Sequence, residues 1–277
     1  MTRFGVIVPA RNEAAGLGET LISLSRQDGV HADVVVVANG CTDDTYEVAA
    51  SYQPLLEGAG HRLTVLQTEV ASKTAALNAG EACVEVFPRA YVDADVRLTP
   101  NALCAVASVL QRDAATLAAP RLHFTSSARG RSQRVAGLLE ILPPFSTDVV
   151  GGGFYAVNAE GRRRWGQFPA LIADDAFVCG LFQRSERIRV PEAAFFARFP
   201  DDRALQGVLT RWEVGRAELR RLGGKAAPTA WREALGVIIR RPATWRAAAE
   251  FLALKLRARS KARTFSPEAA GVWWPRA

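Results

Sequence analysis

Three short clusters of polar and acidic residues stand where predicted strands end: Pro9-Ala10-Arg11-Asn12-Glu13, Asp93-Ala94-Asp95 and Asp174-Asp175. In an α/β sheet, strand ends carry the ligand-binding loops. Asp93 and Asp95 follow the extended run Ala90-Tyr91-Val92, so two carboxylates one residue apart can point to the same side and hold a hard, oxygen-seeking cation. Such a cation can clamp a diphosphate. Asp174 and Asp175 are adjacent, and two charges that close raise one pKa, which suits a general base. His31, His61 and His123 are isolated, and Cys41, Cys83, Cys104 and Cys179 lack C-x-x-C spacing. Neither a zinc site nor a Ser-His-Asp pattern is signalled, the thiols are expected to be buried, and carboxylates are left to carry the chemistry.

The elements that must position these residues are legible in the hydrophobic pattern. Strand-like runs recur at Phe4 to Val8, Val34 to Ala38, Leu63 to Gln67 and Ala90 to Val92, with helix-like segments between them, and this βαβα order predicts a parallel sheet. Asp33 to Ala38 is nearly unbroken apolar, as a central strand covered on both faces should be. Thr42-Asp43-Asp44, Ser72 and Thr99-Pro100 are start signals for helices over Thr45 to Tyr52, Lys73 to Cys83 and Asn101 to Gln111. Loops after strands thus lead into helix N-termini, whose unpaired N–H groups suit phosphates and base edges, although no Gly-rich Rossmann or P-loop motif is present. Beyond Gly130 come an amphipathic Arg131 to Leu142 segment, a Pro143-Pro144 break and a glycine-rich entry, Gly151 to Gly153, into another strand.

A hydrophobic content of 49% in 277 residues fits one large globular domain with appendages. No stretch approaches a membrane span, and the chain enters its first strand without a signal-peptide pattern, so residence in the cytoplasm is expected. The net charge of +7 is uneven: from Gly223 onward eleven Lys and Arg face three Asp and Glu, a net of +8, against −1 for the preceding residues. That tail reads as two helices separated by Pro242, with Trp231, Leu235 and Ile238 on one apolar face and Trp245, Ala249, Leu252 and Leu256 on the next. Its arginines and lysines suit an interfacial helix pair on an anionic membrane surface at the inner face of the membrane; packing of these faces on the preceding domain is the alternative. Nucleic acid is not expected, because the aromatics follow helical spacing and form no stacking platform.

Across roughly Thr2 to Arg221 the chain resembles a family 2 glycosyltransferase. Val8 to Glu13 resembles that family's opening strand and nucleotide loop, Ala38-Asn39-Gly40-Cys41-Thr42-Asp43-Asp44-Thr45 its D-x-S-x-D-x-T turn, and Lys73 to Gly80 its K-x-x-A-L-N-x-G helix. Asp93-Ala94-Asp95 resembles its D-x-D metal motif and Asp174-Asp175 its E-D base motif. The resemblance implies a GT-A fold, a Rossmann-like α/β nucleotide-diphospho-sugar transferase domain over 1–222, here with a basic amphipathic helical extension over 223–277. Residues 1–98 would bind the nucleotide-sugar and 99–222 the acceptor. It implies an inverting, non-processive transfer from a UDP-linked sugar to an acceptor hydroxyl, with Mg²⁺ or Mn²⁺ on Asp95, Asp93 facing the ribose and Ala94 between them. Asp175 would be the base and Asp174 would orient a loop or the acceptor. Pro9, Ala10, Arg11, Glu13 and Asn39 would meet the nucleotide, Glu13 accepting from a uracil N3–H, and Lys73 a phosphate. Gly152 and Gly153 would lie under the sugar, and Arg203 or Arg211 would reach the leaving diphosphate.

Asn39 departs from the family's usual Asp, and Gln206 stands five residues before Arg211-Trp212 where processive synthases have Q-x-x-R-W. Two other functions remain compatible with the motifs. A sugar-phosphate nucleotidyltransferase also uses aspartates with Mg²⁺, but normally carries G-x-G-x-R-L after its first strand, where this chain reads Pro9 to Glu13. A non-catalytic relative would keep the nucleotide fold as a binding module.

Overall fold

The computed structural model describes residues 1–126, 130–223 and 231–264. The chain begins β1 (Thr2–Ala10), α1 (Leu17–Ser25), β2 (Val30–Asn39), α2 (Thr45–Ser51), α3 (Gln53–Gly58), β3 (Arg62–Thr68), α4 (Lys73–Glu81) and β4 (Arg89–Val92). It continues through β5 (Arg97–Leu98), α5 (Ala102–Leu110), β6 (Leu117–Thr125), α6 (Arg131–Ile141), β7 (Phe154–Val157), α7 (Ala159–Arg162) and α8 (Asp174–Gly180). The remaining elements are β8 (Arg187–Arg198), α9 (Leu205–Arg221), α10 (Trp231–Arg240) and α11 (Trp245–Arg263).

Among the described residues the strands form one sheet in the order β3-β2-β1-β4-β7-β6-β8-β5. The expected parallel arrangement holds for β3, β2, β1 and β4. Both faces of this half are covered, and Val34 to Ala38 are almost wholly inaccessible, which explains their unbroken apolar run. The other half departs from that expectation. β7 runs antiparallel to β4 and β6, and β5 antiparallel to β8, while β6 and β8 are parallel. Direction follows from where the chain crosses the sheet, and here Val92, where β4 ends, pairs with Phe154, where β7 begins. Residues 93–95 and 151–153 therefore meet at one edge.

The four cysteines are free, but only Cys179 is buried; Cys83 and Cys104 are exposed and Cys41 intermediate, against the expectation of buried thiols. Cys83 lies in the turn after α4 and Cys104 on the outer side of α5, positions that hydropathy alone does not distinguish from core.

α10 and α11 are joined by a short 3-10 turn from Pro242 to Thr244. α11 packs on the preceding domain, but through another face than the sequence singles out. Leu254 and Ala258 join Val135, Leu139, Leu205 and Leu209 of α6 and α9 in one apolar cluster, and Ala247 joins Leu138 and Leu142 in a second. Trp245, Ala249, Leu252 and Leu256 are instead exposed. α11 carries apolar residues on two sides, so its periodicity cannot say which side is covered. On α10 Leu235 is exposed and Ile238 partly buried, whereas the side chain of Trp231 lies outside the described residues. No helix among the described residues is long and apolar enough to cross a membrane.

Candidate active site

The loops after β1 and β2 are stitched together by side chains that accept backbone N–H groups. Asn12 adopts φ 52°, and its Oδ1 accepts from Thr42 N at 2.8 Å. Glu13 N donates to Thr45 Oγ1 at 2.9 Å, and Ala14 N to Asp43 Oδ2 at 3.2 Å. Thr45 also donates to Asp43, so the turn before α2 is fixed from both ends. This cross-bonding holds Arg11 and Glu13, both half-buried, at the carboxyl ends of β1 and β2. Pro9 and Ala10 are buried beneath them.

Asn39 is placed differently from the sequence expectation of a base-edge contact. It is fully buried, and its Nδ2 donates to Ala10 O at 2.9 Å and Val37 O at 3.4 Å. Both partners are carbonyls, so the amide nitrogen must face them, a role that an aspartate could not fill. Oδ1 is buried without a hydrogen-bond partner. In this conformation Asn39 ties β1 to β2 through its amide nitrogen.

α4 starts at Lys73 because Ser72 caps it, its hydroxyl accepting from Ala75 N at 3.3 Å. A lysine at a helix N-terminus opposes the helix dipole and calls for an anion. That anion is supplied by the protein: Lys73 Nζ lies 2.8 Å from Asp93 Oδ1 and 3.0 Å from Asp174 Oδ1. Burial alone would lower the pKa of the ammonium, yet the fields of Asp174, Asp93 and Asp175 together carry it well above the usual lysine range.

Asp93 and Asp95 sit in the turn leaving β4. Asp93 N donates to Gly153 O at 2.9 Å, and Thr20 Oγ1 donates to the carbonyl of buried Ala94 at 2.6 Å, which fixes the backbone between the two carboxylates. Both aspartates are half-exposed. Gly151, Gly152 and Gly153 follow one another at φ 75°, 65° and 110°, a conformation that side chains with a Cβ rarely adopt.

The adjacent aspartates occupy unlike surroundings. Asp174 is buried at the start of α8; beyond Lys73, its Oδ2 accepts from Tyr155 Oη at 3.2 Å. Burial pushes its pKa up to about 6 despite the nearby ammonium. Asp175 is half-buried, with Oδ2 accepting from Gly152 N at 3.2 Å and Oδ1 from Ala176 N at 2.7 Å. Below them Tyr155 stacks on Tyr91, ring centroids 4.8 Å apart, and Tyr91 donates to Glu81. Burial raises the pKa of both phenols and keeps them neutral donors.

Six of the sequence-predicted residues, Pro9, Lys73, Asp93, Gly153, Asp174 and Asp175, line one cleft floored by Tyr91 and Tyr155. Arg11, Glu13 and Asp95 belong to loops that adjoin it, and Gly152 is bonded to Asp175. Arg203 and Arg211 are not among the lining residues: Arg203 is exposed in the turn before α9, and Arg211 is half-buried on α9 itself. Sequence reasoning missed Tyr155 and the bonding role of Asn78, whose amide exchanges hydrogen bonds with Phe168 N and O at 2.7 and 3.1 Å and anchors the segment leading to α8. A tyrosine in a short strand after three glycines was the available signal, since a buried phenol usually has a partner.

The sequence profile of Glycosyl transferase family 2 matches residues 5–185, more than half of the chain and every element of this cleft. The protein belongs to this family. It has a GT-A fold and a helical C-terminal part. Among solved structures it is similar in fold to the mannosyltransferase PcManGT from Pyrobaculum calidifontis in complex with GDP-Man and Mn²⁺, at TM-score 0.60 and 22% identity over 99% of this chain and 76% of that one. It is similar also to S. aureus TarS 1-349 in complex with UDP-GlcNAc, at TM-score 0.51 and 18% identity over 77% of this chain and 66% of that one. The chain spans 41% of the length of another TarS chain that it matches. No curated protein sequence matches it significantly.

Proposed function

We propose that the protein moves a sugar from a nucleotide-diphosphate donor, UDP-linked in our reading, to an acceptor hydroxyl with inversion at the anomeric carbon. One observation carries this reading: Asp174 is spent on Lys73 and Tyr155, whereas Asp175 stands half-buried at the cleft with its carboxylate steered by Gly152 N–H. Asp175 takes the proton of the acceptor hydroxyl, the new O–C1 bond forms, and the C1–O bond to phosphate breaks, releasing the nucleotide diphosphate. A single displacement needs no covalent intermediate and inverts the configuration. Pro9, Ala10, Arg11 and Glu13 line the nucleotide side, and Glu13 accepts from the uracil N3–H. Residues 1–98 bind the donor and 99–222 the acceptor in this reading. Two similar structures hold a UDP-sugar and a GDP-sugar, which supports a nucleotide-sugar donor as the common denominator.

The donor set suits a divalent metal. Asp93 and Asp95 offer hard oxygens at the cleft edge, while the described residues contain no group of three or more acidic, His or Cys side chains able to hold a metal ion between them. That is the pattern of a site that borrows ligands from substrate phosphates and water. We assign Asp95 as the residue that would hold Mg²⁺ or Mn²⁺. When bound, the ion supplies positive charge to the departing diphosphate. Mn²⁺ in the PcManGT complex supports this. The deciding experiment is a transfer assay over UDP- and GDP-sugars with Mn²⁺ or Mg²⁺. Asp95→Ala is expected to remove metal-dependent donor binding and nearly all transfer, and undiminished transfer would overturn the assignment. Pyrophosphate release from a nucleoside triphosphate would instead favour a nucleotidyltransferase.

We further propose that the tail rests on an anionic bilayer. The exposed stripe of Trp245, Leu252 and Leu256 on α11 is flanked by the exposed arginines Arg246, Arg257 and Arg259, and α10 adds exposed Leu235 and Ile239 beside Arg240. Apolar residues bordered by cations match an interface of acyl chains below anionic headgroups. Co-sedimentation with vesicles containing phosphatidylserine, weakened at high salt, is the expected result; no binding at low salt would refute it.

A further inference from the structure

Lys73 is the cation at the centre of the cleft, and its surroundings are carboxylates on two different parts of the fold. It stands on α4, Asp93 leaves β4, and Asp174 opens α8, 81 positions further along the chain than Asp93. Asp174 is 3% exposed at its side chain and has its two oxygens on Lys73 and Tyr155, so it is turned into the protein and away from an acceptor. Tyr155 in turn stacks on Tyr91, which is bonded to Glu81 at the far end of α4. The chain of groups therefore starts and ends on α4 and passes through β4, β7 and α8.

We infer that Lys73 is a positioning residue that acts through Asp174, clamping the start of α8 to the donor half, and that it is not the ligand of a donor phosphate. This rests on the proposed function, in which Asp175 is the base. Asp175 follows Asp174 on the same turn of α8, so the clamp sets where the base stands. A lysine engaged by two carboxylates has most of its donor capacity committed before any phosphate arrives. Removing it leaves Asp174 buried without its cation, so that wherever Asp174 stays ionised the start of α8 is driven toward water. Neutralising Asp174 at the same time removes the cause of that displacement.

The test compares the wild-type protein with Lys73→Met, Asp174→Asn and the double variant. Lys73→Met is expected to lower kcat by roughly a hundredfold while the donor KM moves by less than about threefold, and the double variant is expected to recover about tenfold over Lys73→Met. A phosphate ligand would behave otherwise: donor KM would rise tenfold or more, and the two substitutions would multiply independently. Either of those results overturns the inference. Thermal unfolding of the same four proteins, without donor or metal, reads the coupling separately. The double variant is expected to unfold above Lys73→Met, and to fold even if that single variant does not; additive shifts, or a double variant that fails to fold, overturn the clamp. Should the wild-type protein transfer no sugar, the proposed function fails, and the unfolding cycle still decides whether Lys73 acts through Asp174.

Discussion

Asp174 and Asp175 are neighbours in the chain with different surroundings, and the roles proposed for them rest on that difference. Asp174 lies in the protein against an ammonium and a phenol; Asp175 lies at the cleft on two backbone N–H groups. Asp175→Asn is accordingly expected to lower turnover by roughly a hundredfold or more at nearly unchanged donor affinity, which steady-state kinetics against donor will read. Asp174 gives a pH prediction. Its pKa in the folded protein, about 6 against 3.8 for an unperturbed aspartate, means that the native state holds the proton more tightly than the unfolded chain. The corresponding stability is fully present below about 3.8 and is lost as pH rises through about 6. Melting temperature relative to Asp174→Asn should therefore fall between pH 4 and 7, while turnover rises over the acid side as the Lys73 pair forms. The aspartates and Lys73 were legible in the sequence because charged residues after apolar runs stand out. Asn39 and Tyr155 were less so: a buried amide between two carbonyls and a phenol beneath a carboxylate depend on which strands become neighbours.

At the scale of elements, the cleft is made where a parallel strand and an antiparallel one begin and end together. β1 to β4 were legible from apolar runs and helix start signals, with ends shifted by a few residues. The glycine-rich entry to β7 was legible as an entry, but its antiparallel direction was not, because direction follows from where the chain crosses the sheet and leaves no local pattern. The structure also gives those glycines a specific burden. A Cβ at Gly151 would stand 2.6 Å from Asp175 Oδ2, and the residue already has φ 75°. Gly151→Ala is expected to displace the Asp175 carboxylate, lower transfer by more than about tenfold and cost about 1–3 kcal/mol in stability. Gly137, in the middle of α6, serves as the control, because a Cβ there would meet nothing within 4 Å beyond its own helix backbone and chain neighbours. Gly137→Ala should leave transfer unchanged and raise stability by about 0.5–1 kcal/mol. Equal effects of the two substitutions would remove Gly151 from the positioning of Asp175.

At the scale of the whole molecule, α11 carries apolar residues on two opposite sides, one packed on the protein and one exposed. The sequence announced an amphipathic basic pair of helices and located the Pro242 break, but it did not reveal which apolar side of α11 faces the protein, since that depends on the shapes of α6 and α9. The buried side is Ala247, Leu254 and Ala258; the outward side carries Leu252 at 58% and Leu256 at 56% exposure. Two substitutions on these opposite sides then separate folding from surface binding. Leu254→Ala removes a side chain from the cluster with Leu139, Leu205 and Leu209, and is expected to cost about 2–5 kcal/mol in chemical denaturation. Leu252→Ser touches no core and should change stability by no more than about 0.5 kcal/mol. On phosphatidylserine vesicles the order reverses: Leu252→Ser, especially combined with Leu256→Ser, should weaken co-sedimentation, because in the proposed docking the lost apolar area would insert, while the arginines beside it would still attract the headgroups. If both serine substitutions left vesicle binding intact while denaturation confirmed an unchanged fold, the outward stripe would have no part in binding, and attraction by the arginines alone would have to account for it.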